Sequence, residues 1–349
     1  MVFKKSKKTL KFTLKIAFNI GVQKKPFGGG NIFLEGLTKH LLEKKYIIRN
    51  DLKDNDIDII LILDPRYRHP SSNFSIGKIF RYIKFKNPNA IIVHRINECD
   101  ERKNTNFMNK LLKISNYIAD HTIFVGSWLK QLDLWEKKSS SVILNGSDKN
   151  IFYPNKNNIL PPPYRLVSHH WSNNKMKGFD VYSKIDQLLN SSKWKMKIEF
   201  TYIGRLPKNF KFKNVKVIDP LYKKLLADEL SNHHIYVTGS INEPGGNHQN
   251  EGALCGLPLL YRNSGCFEEY CEGYGVKFDF ENFESSLNKI IDNYDFYKQK
   301  IKKYPHDINK TSNNYDKLFK NLLLEKTKIL KERNLKKNFF KDIRLFLRP

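Results

Sequence analysis

The chain has 349 residues, of which 40% are hydrophobic and 13% aromatic, and its formal net charge is +27. This composition is that of a folded protein and excludes an intrinsically disordered one, and the length is sufficient for two domains. The excess of Lys and Arg favours polyanionic partners such as nucleic acid, an anionic membrane surface or a phosphorylated substrate.

The cysteine content and the first residues of the chain predict the cellular location of the protein. Four scattered cysteines provide neither a disulfide framework nor a zinc site, so a reducing, cytoplasmic location is expected. The basic start resembles that of a secretory signal, but Lys11 and Lys15 interrupt the apolar stretch that follows. No apolar run is long enough to cross a bilayer, so we expect a soluble or peripheral protein.

The first strand and helix are separated by a glycine-rich loop. Alternating apolar residues over 12–18 predict the strand, and the spacing of Phe33, Leu37 and Leu41 predicts the helix. Gly28, Gly29 and Gly30 between them form the outline of a phosphate cradle. A dinucleotide fingerprint is absent, and a flexible loop without a ligand fits the same residues.

The next strand is a continuous apolar run over 56–64, as a parallel sheet requires. Asp56 and Asp58 precede it at the end away from the ligand edge, so we interpret them as a polar lead-in and not as a metal site. Asp64, Arg66 and His69 follow it, where basic groups could reach a phosphate or an acceptor; a solvated loop is the alternative.

A dense polar cluster lies at the carboxyl end of the strand that begins at residue 90, which makes it a candidate active site. His94 or Asp100 would assist an acceptor hydroxyl. Arg95 and Arg102 would pair locally or bind phosphate, and Asn97 is a further candidate contact. The sequence does not rank these residues.

Three prolines at 161–163 close an interdomain segment. Strands and helices alternate on both sides of it. The pattern predicts an α/β protein of two Rossmann-like domains whose parallel sheets face a cleft. We expect a first domain at 1–158, a second at 159–305 and a basic helical tail at 306–349.

The second half opens with a strand that carries His169, His170 and Trp171, followed by Lys177 and Gly178 at the entry of a helix. Zinc binding by the two histidines is disfavoured because adjacent residues of a strand point to opposite faces.

A strand at 234–237 is followed by Glu243, a turn at Pro244, Gly245 and Gly246, and a helix that Asn247 is expected to cap. Glu251 lies one turn inside that helix, so both carboxylates can face one cleft. The amides of Gly245, Gly246 and Asn247 would favour a phosphate there. A surface helix with an ordinary pair of acids is the alternative.

The order of Glu243, seven residues, Glu251, then Gly256-Leu257-Pro258 and Ser264-Gly265 resembles the donor site of family 4 retaining glycosyltransferases, which have the GT-B fold. The resemblance implies that Glu243 contacts the transferred sugar and acts in catalysis. Glu251 would bind the ribose, and Lys177 would neutralise the leaving diphosphate. Gly29 and Gly30 would face the diphosphate or acceptor.

One position departs from the family pattern. The family usually has an Arg six residues before the lysine, where this chain has Trp171. Either a neighbouring histidine, such as His170, or Lys175 takes its place, or phosphate binding depends more on Lys177 and backbone amides. Reduced activity is the remaining alternative.

The resemblance implies a retaining transfer from a nucleotide-sugar co-substrate to a hydroxyl of a glycan or lipid-linked acceptor, with no metal and no other cofactor. A sugar-nucleotide epimerase could use the same fold. The charge also fits a nucleic-acid-binding protein, although no such module is recognisable. The third alternative is a sugar binder without activity.

The tail has apolar residues spaced four apart among many basic ones: Leu335, Phe339, Ile343 and Leu347. This predicts a basic amphipathic helix suited to an anionic membrane, here the inner face. Docking of its apolar face on the protein itself is the alternative.

Overall fold

The computed structural model describes residues 13–23, 29–66, 69–155 and 161–333. Within these ranges the chain forms two parallel six-stranded sheets flanked by helices, which confirms the expected pair of α/β domains. Gly28, the basic N-terminus and the segment 335–347, for which a tail helix is predicted, lie outside the described residues. So does the predicted boundary after residue 158.

The first sheet has the strand order β2-β1-β3-β4-β5-β6. Its strands are β1 (Lys15–Phe18), β2 (Ile47–Arg49), β3 (Ile59–Ile62), β4 (Ile91–Ile96), β5 (His121–Phe124) and β6 (Ser139–Val142). The helices of this part of the chain are α1 (Gly29–Glu43), α2 (Ile76–Phe85), α3 (Asp100–Lys103) and α4 (Met108–Asn116), with a 3-10 helix at Ser127–Gln131.

Every residue of β3, β4 and β5 is buried. This is expected of central parallel strands that are covered by helices on both faces. The predicted apolar run is therefore a core strand, although the hydrogen-bonded part is shorter than 56–64. Asp56 and Asp58 lie before it, at the end remote from the cleft, and bond Lys15 through its ammonium and backbone N–H groups respectively.

The second sheet has the order β12-β11-β10-β7-β8-β9. Its strands are β7 (Tyr164–His170), β8 (Ile198–Gly204), β9 (Lys216–Ile218), β10 (Ile235–Thr238), β11 (Leu259–Arg262) and β12 (Gly275–Phe278). Its helices are α5 (Phe179–Leu188), α6 (Lys224–Leu230), α7 (His248–Leu254), α8 (Phe267–Cys271), α9 (Phe283–Asp292) and α10 (Tyr294–Ile301), with a 3-10 turn at Lys175–Lys177.

The second sheet has a switch point between β7 and β10. The first strand of the domain, β7, pairs with β8 on one side and with β10 on the other. The loops that follow β7 and β10 therefore diverge and leave a crevice at the carboxyl ends of the strands, where α/β folds bind ligands.

The chain then returns to the first domain through α11 (Ile308–Leu324) and α12 (Lys326–Glu332). Ile308, Tyr315 and Phe319 are buried in the same apolar cluster as Phe33 and Leu37 of α1. By its packing, α11 therefore belongs to the first domain, so the chain connects the two domains a second time. No helix in the described ranges is both long and apolar enough to cross a membrane.

Candidate active site

A cleft of about 670 Å³ lies between the carboxyl ends of the two sheets. The first domain contributes the start of α1 and the loops after β3 and β4, and the second contributes the loops after β7 and β10. Most of the predicted site residues line it: Gly29, Gly30, Arg95, Asn97, His170, Lys177, Glu243, Gly245, Gly246, Asn247 and Glu251.

Three charged side chains meet at the switch point of the second sheet. Glu243 Oε2 lies 3.1 Å from Lys177 Nζ and 3.1 Å from Arg102 Nη2. Lys177 follows β7 and Glu243 follows β10, whereas Arg102 comes from α3 of the first domain. Two cations from different domains therefore share one carboxylate.

The environment shifts the pKa of two of these groups. Although burial by itself raises the pKa of Glu243, the charges of Arg102 and Lys177 hold that pKa well below its usual range. Burial lowers the pKa of Lys177 to about 8, against the opposing effect of Glu243. Glu243 is thus a carboxylate at neutral pH, and Lys177 is an ammonium group within reach of titration.

Glu251 is held by a histidine that the sequence did not single out for this role. His169 Nε2 lies 2.7 Å from Glu251 Oε2, and Tyr236 Oη lies 3.1 Å from His169 Nδ1. A carboxylate only accepts, so His169 donates from Nε2, while its Nδ1 shares a hydrogen bond with the Tyr236 hydroxyl. Glu251 retains its second oxygen for a ligand.

The turn between the two glutamates packs tightly against the first domain. A Cβ at Gly245 would lie 2.7 Å from Val125 Cγ2, and the Gly245 carbonyl oxygen accepts from Asn145 Nδ2 at 2.6 Å. Gly265 has φ +61°, and a Cβ there would lie 2.5 Å from the backbone nitrogen of Glu243, so only glycine fits. The backbone of Glu243 is therefore fixed from both sides.

Asn247 stands at the start of α7, but its side chain does not cap that helix. Its Nδ2 instead donates to the Gly29 carbonyl oxygen, 3.1 Å away on the first domain. The expected cap is therefore wrong, because the amide is used to join the domains. The same bond brings the start of α1, with Gly29 and Gly30, to the edge of the turn.

The first-domain wall of the cleft contains Arg95, Asn97 and Arg66. The Arg95 guanidinium lies 3.9 Å from the centre of the Phe33 ring and donates to Asn145 Oδ1 at 2.9 Å. Arg66 pairs with Asp64 at 2.5 Å. Both cations are thus already partnered within the first domain.

Two predicted residues are placed where they cannot reach a substrate in the cleft. His94 is fully buried within β4, does not line the cleft, and shares a hydrogen bond of 3.1 Å with Asn116. Burial also lowers its pKa to about 3, so it is neutral. A catalytic role for His94 is therefore wrong, because its side chain faces α4, where its partner Asn116 lies, and not the cleft.

Asp100 has a structural role instead. Its carboxylate accepts from the backbone N–H groups of Met108 at 2.8 Å and Asn109 at 3.0 Å, which start α4. It does not line the cleft. The expectation that Asp100 assists an acceptor hydroxyl is therefore corrected, since a helix terminus already uses the carboxylate.

The neighbours of Trp171 do not supply the cation that the family resemblance led us to expect at this position. His170 lies at the base of the cleft, but its Nε2 shares a hydrogen bond of 2.7 Å with Tyr182. Burial lowers the pKa of His170 well below its usual value, so it carries no charge. Lys175 is exposed and outside the cleft lining.

The structure shows no cluster of His, Cys, Asp and Glu arranged for a metal ion, as far as the described residues extend. Arg102 and Glu243 pair across the cleft, whereas Lys177–Glu243 and His169–Glu251 pair within the second domain. A cation pair, a carboxylate and a second histidine-bound carboxylate can bind an anionic, hydroxyl-bearing ligand such as a nucleoside diphosphate.

Solved glycosyltransferase structures match nearly the whole chain. A sucrose-phosphate synthase (tll1590) from Thermosynechococcus elongatus has a TM-score of 0.64 and 12% identity, over 89% of this chain and 99% of that one. The Anabaena protein Alr3699/HepE in complex with UDP-glucose has a TM-score of 0.64 and 13% identity, over 88% and 100%. AviGT4, a glycosyltransferase involved in avilamycin A biosynthesis, has 0.61 and 12%, over 89% and 98%.

No family model matches the sequence, and the comparison with curated proteins finds no match. At sequence identities this low, the structural similarity is evidence for the fold alone. The two parallel six-stranded sheets and these matches over 88–89% of the chain show that it has the GT-B fold.

Proposed function

We propose that the protein is a retaining glycosyltransferase, similar to those of family 4, that moves a sugar from a nucleotide-sugar donor to a hydroxyl of a glycan or lipid-linked acceptor. The observation that carries this proposal is the meeting of Lys177 with Glu243, 3.1 Å apart at the switch point of the second sheet. A cation and a carboxylate at the ligand edge of a GT-B cleft suit a sugar diphosphate.

The donor occupies the second domain. Lys177 binds the diphosphate as a point charge, and Gly245 and Gly246 line the cleft beside it. Glu251 accepts hydrogen bonds from the ribose hydroxyls with its free oxygen. Glu243 faces the transferred sugar once the diphosphate draws Lys177 away from it.

The transfer breaks the bond between the anomeric carbon and the diphosphate oxygen, which keeps the electron pair. The acceptor hydroxyl forms its bond on the same face, and its proton passes to an oxygen of the departing phosphate. Lys177 stabilises the charge that develops there. Glu243 is a poor nucleophile because two cations hold its charge, which favours this route over a covalent intermediate.

The acceptor occupies the first domain. Arg95, Asn97 and Arg66 line that wall of the cleft and offer contacts to its hydroxyl or phosphate groups. We assign residues 1–158 to the acceptor domain and 159–305 to the donor domain; the segment 306–349 was expected to be a tail, but its helix α11 packs on the acceptor domain, and the basic tail follows. A cytoplasmic enzyme of polysaccharide biosynthesis, held peripherally on an anionic membrane by that tail, agrees with the net charge of +27.

A panel of nucleotide-sugars and nucleoside diphosphates tests the proposal by thermal shift. UDP-sugars come first, because the matching Anabaena structures hold UDP and UDP-glucose. We expect one donor to raise the melting temperature, since binding to the native state raises its apparent stability. That donor should be hydrolysed slowly and transferred with retained anomeric configuration.

The variant Glu251→Ala tests the assignment of the donor site. Calorimetric affinity for the donor should fall, and an unchanged affinity would contradict the donor-site assignment.

Product analysis without an acceptor separates a transferase from an epimerase, because only the epimerase converts the sugar while it remains attached to the nucleotide.

A further inference from the structure

We propose that Arg102, which belongs to the first domain, supplies the second cation of the diphosphate site. This inference rests on the proposed function and deepens it. It means that the donor site is complete only when the two domains are closed on each other.

The contacts of Arg102 are directed across the cleft. Its Nη1 donates to the carbonyl oxygens of Met176 at 2.8 Å and Ile241 at 3.1 Å, and its Nη2 lies 3.1 Å from Glu243 Oε2. All three partners belong to the second domain. The side chain is only 5% exposed, and such a buried guanidinium needs this set of partners.

The two carbonyl groups belong to the loops that carry the donor residues. Met176 precedes Lys177, and Ile241 lies two residues before Glu243. Ile241 N also donates to the Met176 carbonyl at 2.8 Å, so Arg102 closes a bridge between these loops. An arginine has five N–H donors, and these contacts leave donors for an anionic ligand beside Lys177.

Other cations near the donor site are placed less well. Trp171 occupies the position of the missing arginine, and its ring is covered by the Arg205 guanidinium at 4.4 Å. Arg205 is exposed and does not line the cleft. His169 is bound to Glu251, and the buried His170 is neutral. Arg102 is the charged group that shares a carboxylate with Lys177.

The charges explain why the second cation is needed. Lys177, Arg102 and Glu243 together carry one net positive charge, whereas a diphosphate brings at least two negative ones. Either cation alone would be cancelled by Glu243. With both, one positive charge remains to meet the ligand, and the guanidinium can bind phosphate oxygens in a bidentate manner.

Calorimetry with three probes tests the role of Arg102: UDP, inorganic pyrophosphate and uridine. Pyrophosphate makes the test independent of the base. We expect Arg102→Gln to weaken pyrophosphate and UDP about 10- to 100-fold, as for a lost hydrogen bond to a charged group, and to leave uridine binding unchanged. Arg205→Gln is the matched control and should change each affinity less than about twofold.

Arg102→Lys keeps the charge but not the bridge between loops. Arg102→Lys should retain part of the pyrophosphate affinity, and its affinities replace those of Arg102→Gln in the test if that variant does not fold. A purely structural role predicts the opposite pattern, in which both variants lower the unliganded melting temperature and weaken uridine as much as UDP. That pattern would overturn the inference.

The outcome separates the two proposals. If Lys177→Gln weakens pyrophosphate but Arg102→Gln and Arg102→Lys do not, the donor site stands and the role of Arg102 is wrong. If the wild-type protein binds neither pyrophosphate nor any nucleoside diphosphate, the proposed function itself falls.

Discussion

Lys177 Nζ and Glu243 Oε2 lie 3.1 Å apart, although the two residues are 66 positions apart in the sequence. They follow β7 and β10, which are neighbours in the second sheet through the pairing of Leu166 with Ile235. The contact is therefore a property of the strand order, and it fixes the charge state on which the donor site depends.

The activity should decrease as the pH rises through about 8. Burial lowers the pKa of Lys177 to about 8, so the ammonium form that stabilises the leaving diphosphate is lost above this pH. The pH profile of kcat/KM, which reports the free enzyme, measures this. Lys177→Gln should lower kcat on the order of 10²- to 10³-fold at neutral pH.

Lys177→Arg is the control for this titration, since a guanidinium stays charged at every pH in the range. Its profile should lack the decline near pH 8, whatever its absolute rate. A decline at the same pH in Lys177→Arg would assign the titration to another group.

His169 and Glu251 should act as one unit in donor binding. The 2.7 Å contact between them orients the Glu251 carboxylate. Glu251→Ala removes the proposed ribose contact, so it should weaken binding of the nucleoside diphosphate by about tenfold or more. His169→Phe should weaken it less. The double variant should resemble Glu251→Ala alone, because residues in contact are not additive.

Calorimetric affinities for the four proteins of this cycle measure the coupling. Additive losses would mean that His169 contacts the ligand itself and does not act through Glu251. Unchanged affinity in His169→Phe would show that the carboxylate holds its position without the histidine.

Gly178→Ala should destabilise the protein far more than Gly273→Ala. Both glycines have positive φ, +95° and +81°, so both variants carry the strain of a left-handed alanine, about 1 kcal/mol. A Cβ at Gly178 would also lie 2.2 Å from the carbonyl carbon of Gly239, whereas a Cβ at Gly273 would meet nothing within 4 Å.

Urea unfolding of the two variants isolates the contact between the backbones of residues 178 and 239. We expect the free energy of unfolding to fall about 2 kcal/mol further in Gly178→Ala, because backbone cannot move aside as a side chain can. Equal losses would show that the loop after Lys177 relaxes freely.

Arg333→Ala should reduce the stability of the first domain. Arg333 donates to Asp120 Oδ1 at 2.8 Å, to the Pro88 carbonyl at 2.8 Å and to the Ala90 carbonyl at 2.6 Å. Its removal leaves Asp120, whose side chain is 3% exposed, buried without its charge partner. The expected loss is about 3–5 kcal/mol in denaturant unfolding.

Lys113→Ala provides the matched control, because it breaks an ion pair with the exposed Asp133, whose side chain is 78% accessible. We expect no measurable change there, since solvent screens such a pair. A loss in Arg333→Ala as small as that of Lys113→Ala would mean that the end of α12 is not anchored to the first sheet.

The local pattern of the sequence was sufficient to predict the architecture and the part of the site that contains Glu243 and Glu251. Buried parallel strands are continuous apolar runs, so β3, β4 and β10 could be located without a structure. The strand, Pro-Gly-Gly turn and helix around Glu243 and Glu251 also form a local unit, because the residues that fix it are close in sequence.

The position of a polar side chain relative to the cleft could not be predicted in the same way. His94 and Arg95 are adjacent in β4, yet only Arg95 lines the cleft, because alternate residues of a strand face opposite sides of the sheet. Asp100 and Asn247 were likewise available for several partners, and the nearest unpaired backbone group decided which one each has.

The sequence by itself thus determined the two α/β domains and the strand-turn-helix unit with its two glutamates, since both follow from periodicity and turn chemistry. Tertiary structure alone decided that Arg102 and Lys177 share Glu243, and that His169 holds Glu251. Such contacts depend on strand order and domain closure, which bring together side chains whose separation in sequence carries no signal.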